Sequence, residues 1–114
     1  MSLILQRETT EYVYIGVTGD KVSGVAEVAF LDAAQRPTES DWSEAIKVED
    51  DTHPLWADAF ASEVEGDWYI ARLVGTFGAG GGLDLAPGPY QPWSRLTDDI
   101  ERPVRIAPVT LEIA

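Results

Sequence analysis

Residues 78–90, GAGGGLDLAPGPY, hold five of the ten glycines in the chain, and a glycine run of this kind can cradle a phosphate. That chemistry needs a strand before the run, a closing glycine, and a helix whose N-terminus faces the anion. Position 83 is Leu83, and Pro87, Pro89 and Pro92 forbid a helix immediately after the run. The nucleotide reading fails on those residues. His53, the sole histidine, sits beside Glu49, Asp50 and Asp51, and an exposed histidine in an acidic loop is commoner than a site built on one. No G-x-S-x-G surrounds a serine, and no second histidine could serve as its base. The acids at 49–51 and 98–101 could bind calcium weakly, as interstrand loops of some sandwich domains do, but they lack the spacing of an EF-hand loop and read better as solvated loops. With no cysteine there is neither a thiolate site nor a disulfide. The residues predict no catalytic group, no metal site and no cofactor, hence a protein that is not an enzyme.

The second half of the glycine stretch has a structural explanation. Leu85, Pro87, Gly88 and Tyr90 spell L-x-P-G-x-Y, which resembles the tyrosine corner of Greek-key sandwiches. In that arrangement the tyrosine hydroxyl bonds to backbone a few residues upstream, the leucine fills the core, and Pro-Gly turns the chain between sheets. The preceding glycines then form a hairpin tip. Trp42, Trp56, Trp68 and Trp93 could build an aromatic platform for sugar, although cores and protein interfaces also consume tryptophan. A core face through Tyr90, Pro92, Ser94 and Leu96 turns Trp93 and Arg95 outward. That pair reads better as a protein interface than as a sugar site.

These residues must be positioned by strands. In 3–17 Val13, Ile15 and Val17 share one face and Tyr12 and Tyr14 the other, after which Gly16, Gly19 and Asp20 punctuate a turn. In 25–31 Ala26, Val28 and Phe30 oppose Glu27. A helical turn is expected within 37–45, then strands at 44–48, 67–77, 90–97 and 103–113, with Pro92 and Pro108 marking sheet edges or bulges. Residues 55–64 fit a helix or an irregular strand equally. The expected fold is all-β: one immunoglobulin-like antiparallel β-sandwich domain over 1–114, of about seven strands, with at most one or two short helical turns. Twenty acids against eight scattered bases, a net charge of −12, argue against direct nucleic-acid binding. No apolar run reaches membrane-spanning length and none follows a basic start, so neither a membrane segment nor a secretion signal is expected.

Five runs, EYVYIGVTGD, VAEVAFL, DWSEA, GDWYIARLVG and PGPYQPWSRLTDDIERPVRIAPVTLEI, resemble in that order a family of small proteins. The family occurs in virion-structure gene clusters of tailed actinobacterial phages and prophages. Its C-terminal pattern is kept here by Gly88, Tyr90, Trp93, Arg95, Thr97, Asp98, Pro103, Val104 and Arg105. Pro92 and Ser94 stand where the family has apolar residues, and Ile100 where it has proline. The resemblance implies a structural component of the virion, at the neck, the tail or the capsid surface, assembled in the host cytoplasm. Its implied partners are other virion proteins and further copies of itself, and it supplies no catalytic residues. The alternative is a carbohydrate- or host-surface-binding module displayed on the particle.

Overall fold

Runs rich in β-branched and aromatic residues form the strands of this chain. The computed structural model describes residues 2–5, 10–32, 34–75, 82–98, 102–107 and 110–114. Its strands are β1 (Ser2–Leu5), β2 (Thr10–Val17), β3 (Ala26–Leu31), β4 (Ser43–Val48), β5 (Trp68–Gly75), β6 (Gly88–Leu96), β7 (Val104–Ile106) and β8 (Thr110–Ile113). A 3-10 turn covers Glu39–Asp41, and one short helix, α1, covers Trp56–Ala61. The segment that fitted helix and strand equally is therefore a helix followed by a turn.

The fold is an all-β, sandwich-like arrangement whose strands run in the order β1-β8-β6-β3-β4-β5-β2, with β7 also paired to β6. β4 joins the two layers. Its first half pairs with β3 (Ala26↔Ala45, Val28↔Ser43) and its second half with β5 (Ile46↔Ala71, Val48↔Tyr69). One layer thus holds β1, β8, β7, β6 and β3, the other β5 and β2. The sheet is mixed rather than wholly antiparallel, because β1 runs parallel to β8. These two strands come from opposite ends of the described chain, so no tight hairpin dictates their direction. The expected strands at 3–17 and 103–113 each divide in two, and the halves of the first serve different layers.

The interior takes Val13, Ile15 and Val17 from β2, Ala26, Val28 and Phe30 from β3, Trp68 and Ile70 from β5, and Leu111 and Ile113 from β8. β2 and β5 are buried on their second face as well. Tyr14, Tyr69, Ala71 and Val48 form a smaller cluster with Ala59 of α1. The Tyr14 hydroxyl donates to Asp58 Oδ2 at 2.6 Å, which ties the helix to the sheet. Trp56 adds an edge-on contact with Tyr69 at 5.2 Å. Gly16 is not a turn residue. It lies inside β2, where a Cβ would meet the Glu65 carbonyl oxygen at 1.8 Å, so its small size admits the backbone that leads into β5.

Pro92 is not at a sheet edge either. It stands in β6 opposite Phe30, between two paired strands. Its carbonyl accepts from the Ala107 N–H at 3.0 Å, and a residue in a strand points its N and O to the same side. The missing N–H therefore falls toward the Ala107 carbonyl, at the interruption between β7 and β8, and one ladder bond is forfeited there. The Gln91 side-chain amide donates across that interruption to the carbonyls of Pro92 and Ala107, at 3.0 and 2.8 Å. Pro108 and most of the glycine tip, residues 76–81, lie outside the described residues. The ends of that loop are joined by Gly75 N–H to Leu83 O at 3.0 Å and Leu83 N–H to Leu73 O at 2.8 Å. Beyond Gly82 the chain leads into a strand, β6.

At the corner, Leu85 and Tyr90 pack against the main core and Pro87 is exposed. Gly88 opens β6 at φ 144°, a backbone conformation that residues with a Cβ rarely adopt. The Tyr90 hydroxyl donates to the Ala86 carbonyl at 2.6 Å. Tyr90→Phe is expected to keep the fold and cost about 1 kcal/mol, the net worth of one hydrogen bond. Urea denaturation checks this; an unchanged midpoint would mean that the hydroxyl contributes nothing.

Candidate functional site

Period-two alternation along β6 sends Pro92, Ser94 and Leu96 into the sandwich and Gln91, Trp93 and Arg95 to the outer face of the layer. There Trp93 lies between Ala29 of β3 and Ile106 of β7, and Arg95 between Glu27 and Val104. This is the face on which the sequence placed an interface. Its electrostatics differ from that expectation.

Arg95 faces outward but is not exposed: its side chain keeps 8 % of its accessible surface. A guanidinium withdrawn from water needs compensating partners. Glu27 supplies a two-pronged contact, accepting from Nε and Nη2 at 3.0 Å each. Glu39 accepts from Nη1 at 2.8 Å. The Trp42 ring lies 4.7 Å from the guanidinium carbon, a cation–π contact. Arg102 approaches Glu39 at 3.7 Å and Glu27 at 3.9 Å from the rim. Arg95 is thus spent on holding the chain's own segment and is withdrawn from any external partner.

That segment is a strap over residues 34–42. Asp41 accepts from the Thr38 N–H at 2.7 Å, which closes the 3-10 turn and aims Glu39 and Trp42 at Arg95. At the strap's other end the Arg36 guanidinium sits 5.7 Å from the Trp93 ring centre. Trp93 is consequently half-buried. The part of this face left open lies on β7, where Val104 and Ile106 keep 47 % and 55 % of their surface.

The four tryptophans do not form one platform. Trp68 is buried in the core and Trp56 packs on Tyr69 across the other layer, leaving Trp42 and Trp93 on the face of β6. His53 serves the chain locally, its Nδ1 accepting from the Leu55 N–H at 3.1 Å just before α1. The Asp50 carboxylate accepts from the Thr52 N–H at 3.0 Å, an Asx-type turn within the acidic loop. Among the described residues no three His, Cys, Asp or Glu side chains are grouped to hold a metal ion, and no helix is long and apolar enough to cross a membrane. The acids at 99 and 101 lie outside the described residues.

Comparison with known proteins adds no family: no family model, no curated protein and no solved structure matches the chain. The phage resemblance rests on the sequence runs that carry it.

Two groups escaped the sequence. Glu27 and Glu39 are 68 and 56 residues from Arg95 along the chain, and nothing in their spacing announces that they share a guanidinium. Val104 and Ile106 were legible as alternating strand residues, but which face they occupy depends on the register with β6.

The clamp sets expectations for stability. Arg95→Ala leaves Glu27 mostly buried without its partner and should cost about 2–4 kcal/mol, near the range for breaking a buried pair. Arg95→Lys keeps the charge but loses the fork and the stacking, and should fall between. The Arg95 guanidinium also holds the Glu39 carboxyl below its ordinary value of 4.5. A carboxylate whose pKa is lowered by folding stabilises the fold above its unfolded pKa, and loses that contribution as pH falls through the folded one. The stability difference between wild type and Glu39→Gln should therefore be constant near neutrality and shrink below about pH 4.5. Urea midpoints across pH 3–7 measure it, and a difference that widens on acidification would refute the clamp.

Proposed function

We propose that this protein is a structural component of a tailed-phage virion, at the neck, the tail or the capsid surface, and that it works through protein–protein contacts on the outer face of β6 and β7. The observation that carries this reading is the division of that face. Its charged groups are satisfied internally by the Arg95 clamp, while Trp93, Val104 and Ile106 form an apolar strip beside the edge of β7 that no described strand pairs. Interfaces bind through such a composition: an aromatic anchor and apolar neighbours at the centre, paired charges at the rim. The sequence runs that resemble the phage family include these same strands. A net charge of −12 suits a component that lies near packaged DNA without holding it, because acidic walls repel a phosphate backbone.

The strip contains no group that would perform a reaction, so its proposed work is assembly, with neighbouring virion proteins and further copies of this chain as partners. Trp93→Ala should leave the isolated domain folded and weaken incorporation into particles by about 2 kcal/mol or more, the size of a hot-spot loss. Ile106→Ser, at an exposed position, should change stability by less than about 0.5 kcal/mol and reduce incorporation in the same direction. Particle incorporation and retention on host-wall polysaccharide are to be measured on both variants. Normal incorporation with lost retention would make the domain a displayed sugar-binding module, and loss of neither would make Trp93 packing alone.

A further inference from the structure

β2 ends the strand order, so among the described residues no strand pairs its second edge. It is eight residues long, TEYVYIGV, and carries neither lysine nor proline. Sandwich proteins ordinarily blunt such an edge with those residues, with a bulge or by keeping the strand short; β1 and β7, at four and three residues, are short in that way. Beside the β2 edge lies a cleft of about 310 Å³. Leu3 and Leu111 of the β1–β8 pair line one side, and Tyr12 with Val64 lines the other. Its charged lining groups are Glu11 and Asp58, and it has no cationic one. Leu3 keeps 37 % of its surface there, although it lies beside core residues.

We propose that this cleft is a strand-addition groove, and that its occupant is an extended segment of another protein in which apolar and basic residues alternate. The open edge supplies main-chain donors and acceptors, and the alternation of a strand supplies the selectivity. Every second side chain of the added strand enters between the layers against Leu3 and Leu111. The intervening ones pass beside Tyr12, where a lysine or arginine meets Asp58; Glu11, on the Val13 face of β2, adds negative potential at the mouth of the groove. An acidic strand meets repulsion in that groove. A second copy of this chain is disfavoured for the same reason, since each copy carries a net charge of −12. The groove lies on a different surface from the β7 strip and does not depend on the particle reading.

The probe is an end-capped octapeptide of alternating valine and lysine. Its controls are a block-ordered peptide of the same composition, an alternating valine–glutamate peptide, and a copy N-methylated at every second residue to remove its edge-facing donors. Titration calorimetry with amide chemical shifts should show saturable one-to-one binding of the alternating peptide, with shifts gathered at residues 10–14, 58–64 and 110–111. The N-methylated and glutamate peptides should not bind. Asp58→Asn combined with Glu11→Gln should weaken binding about 5-fold at low salt, as expected for one exposed charge contact and one nearby charge. The Asp58→Asn change retains a side-chain oxygen to accept from the Tyr14 hydroxyl. Should the double variant nonetheless unfold, Glu11→Gln alone, expected to cost about 2-fold, carries the test. Equal binding of the block or N-methylated peptide would overturn the proposal. So would shifts that map elsewhere, no binding at millimolar peptide, or self-association through β2.

Discussion

The arrangement of the β6 face depends on one constraint: a guanidinium that lies on the sheet beneath its own chain cannot be left unpaired. Arg95 takes Glu27 from the neighbouring strand and Glu39 from a distant turn, and the second of these brings residues 34–42 across the sheet. The strap then covers Arg95 with Trp42 and sets Arg36 over Trp93. Ala29 and Leu31, which point away from the sandwich interior, are thereby kept from water as well. The clamp is also why the open apolar surface is displaced from the centre of the sheet to β7. Hydrophobic burial supplies the bulk of the stability, but this pairing decides which surface is covered and which is left open.

The second layer meets the same need by different means. Two strands and half of a third make a narrow sheet, and its outward aromatic residues, Tyr14 and Tyr69, require a cover. The cover is α1, six residues long and too short to be stable alone, held by apolar contact and by the bond from Tyr14 to Asp58. Each layer of the sandwich is thus roofed by the connection that comes after one of its strands. A chain of 114 residues gains by this a second, smaller core in addition to the interlayer one.

The fold was legible where it rests on local alternation. Val13, Ile15 and Val17, or Ala26, Val28 and Phe30, declare an inner face because a strand's period is short and its pattern local. The corner was legible for a similar reason, since Leu85, Gly88 and Tyr90 act within a few residues of one another. Register and coverage were not legible. Alternation shows that Arg95 points away from Leu96, yet it cannot show that a strap from 56 residues earlier lies over it. Gly16 read as punctuation because glycine usually is; its reason is the backbone of Glu65 pressed against it, a contact between distant positions. Residues 55–64 withheld their periodicity because α1 buries Ala59 while leaving Phe60 exposed, a face too narrow to print a helical repeat.

β4 has a consequence for how such a domain can be joined to others. By giving one half of its length to each layer, it seals one side of the sandwich with continuous hydrogen bonds. On the opposite side the layers end separately, β2 on one and β1 and β7 on the other, so among the described residues the unpaired strand edges lie away from β4. Two of these edges differ in chemistry. β7 offers Val104 and Ile106 next to a half-buried tryptophan, with its nearby charges already paired. The cleft along β2 offers main-chain edge and two carboxylates. An apolar strip rewards shape and area and is largely indifferent to salt, whereas an acidic groove selects by charge and weakens as salt screens it. Surfaces that recognise by different physics need not compete for the same partner, so the two proposed contacts would be compatible on one small domain whose covered faces take no part in either.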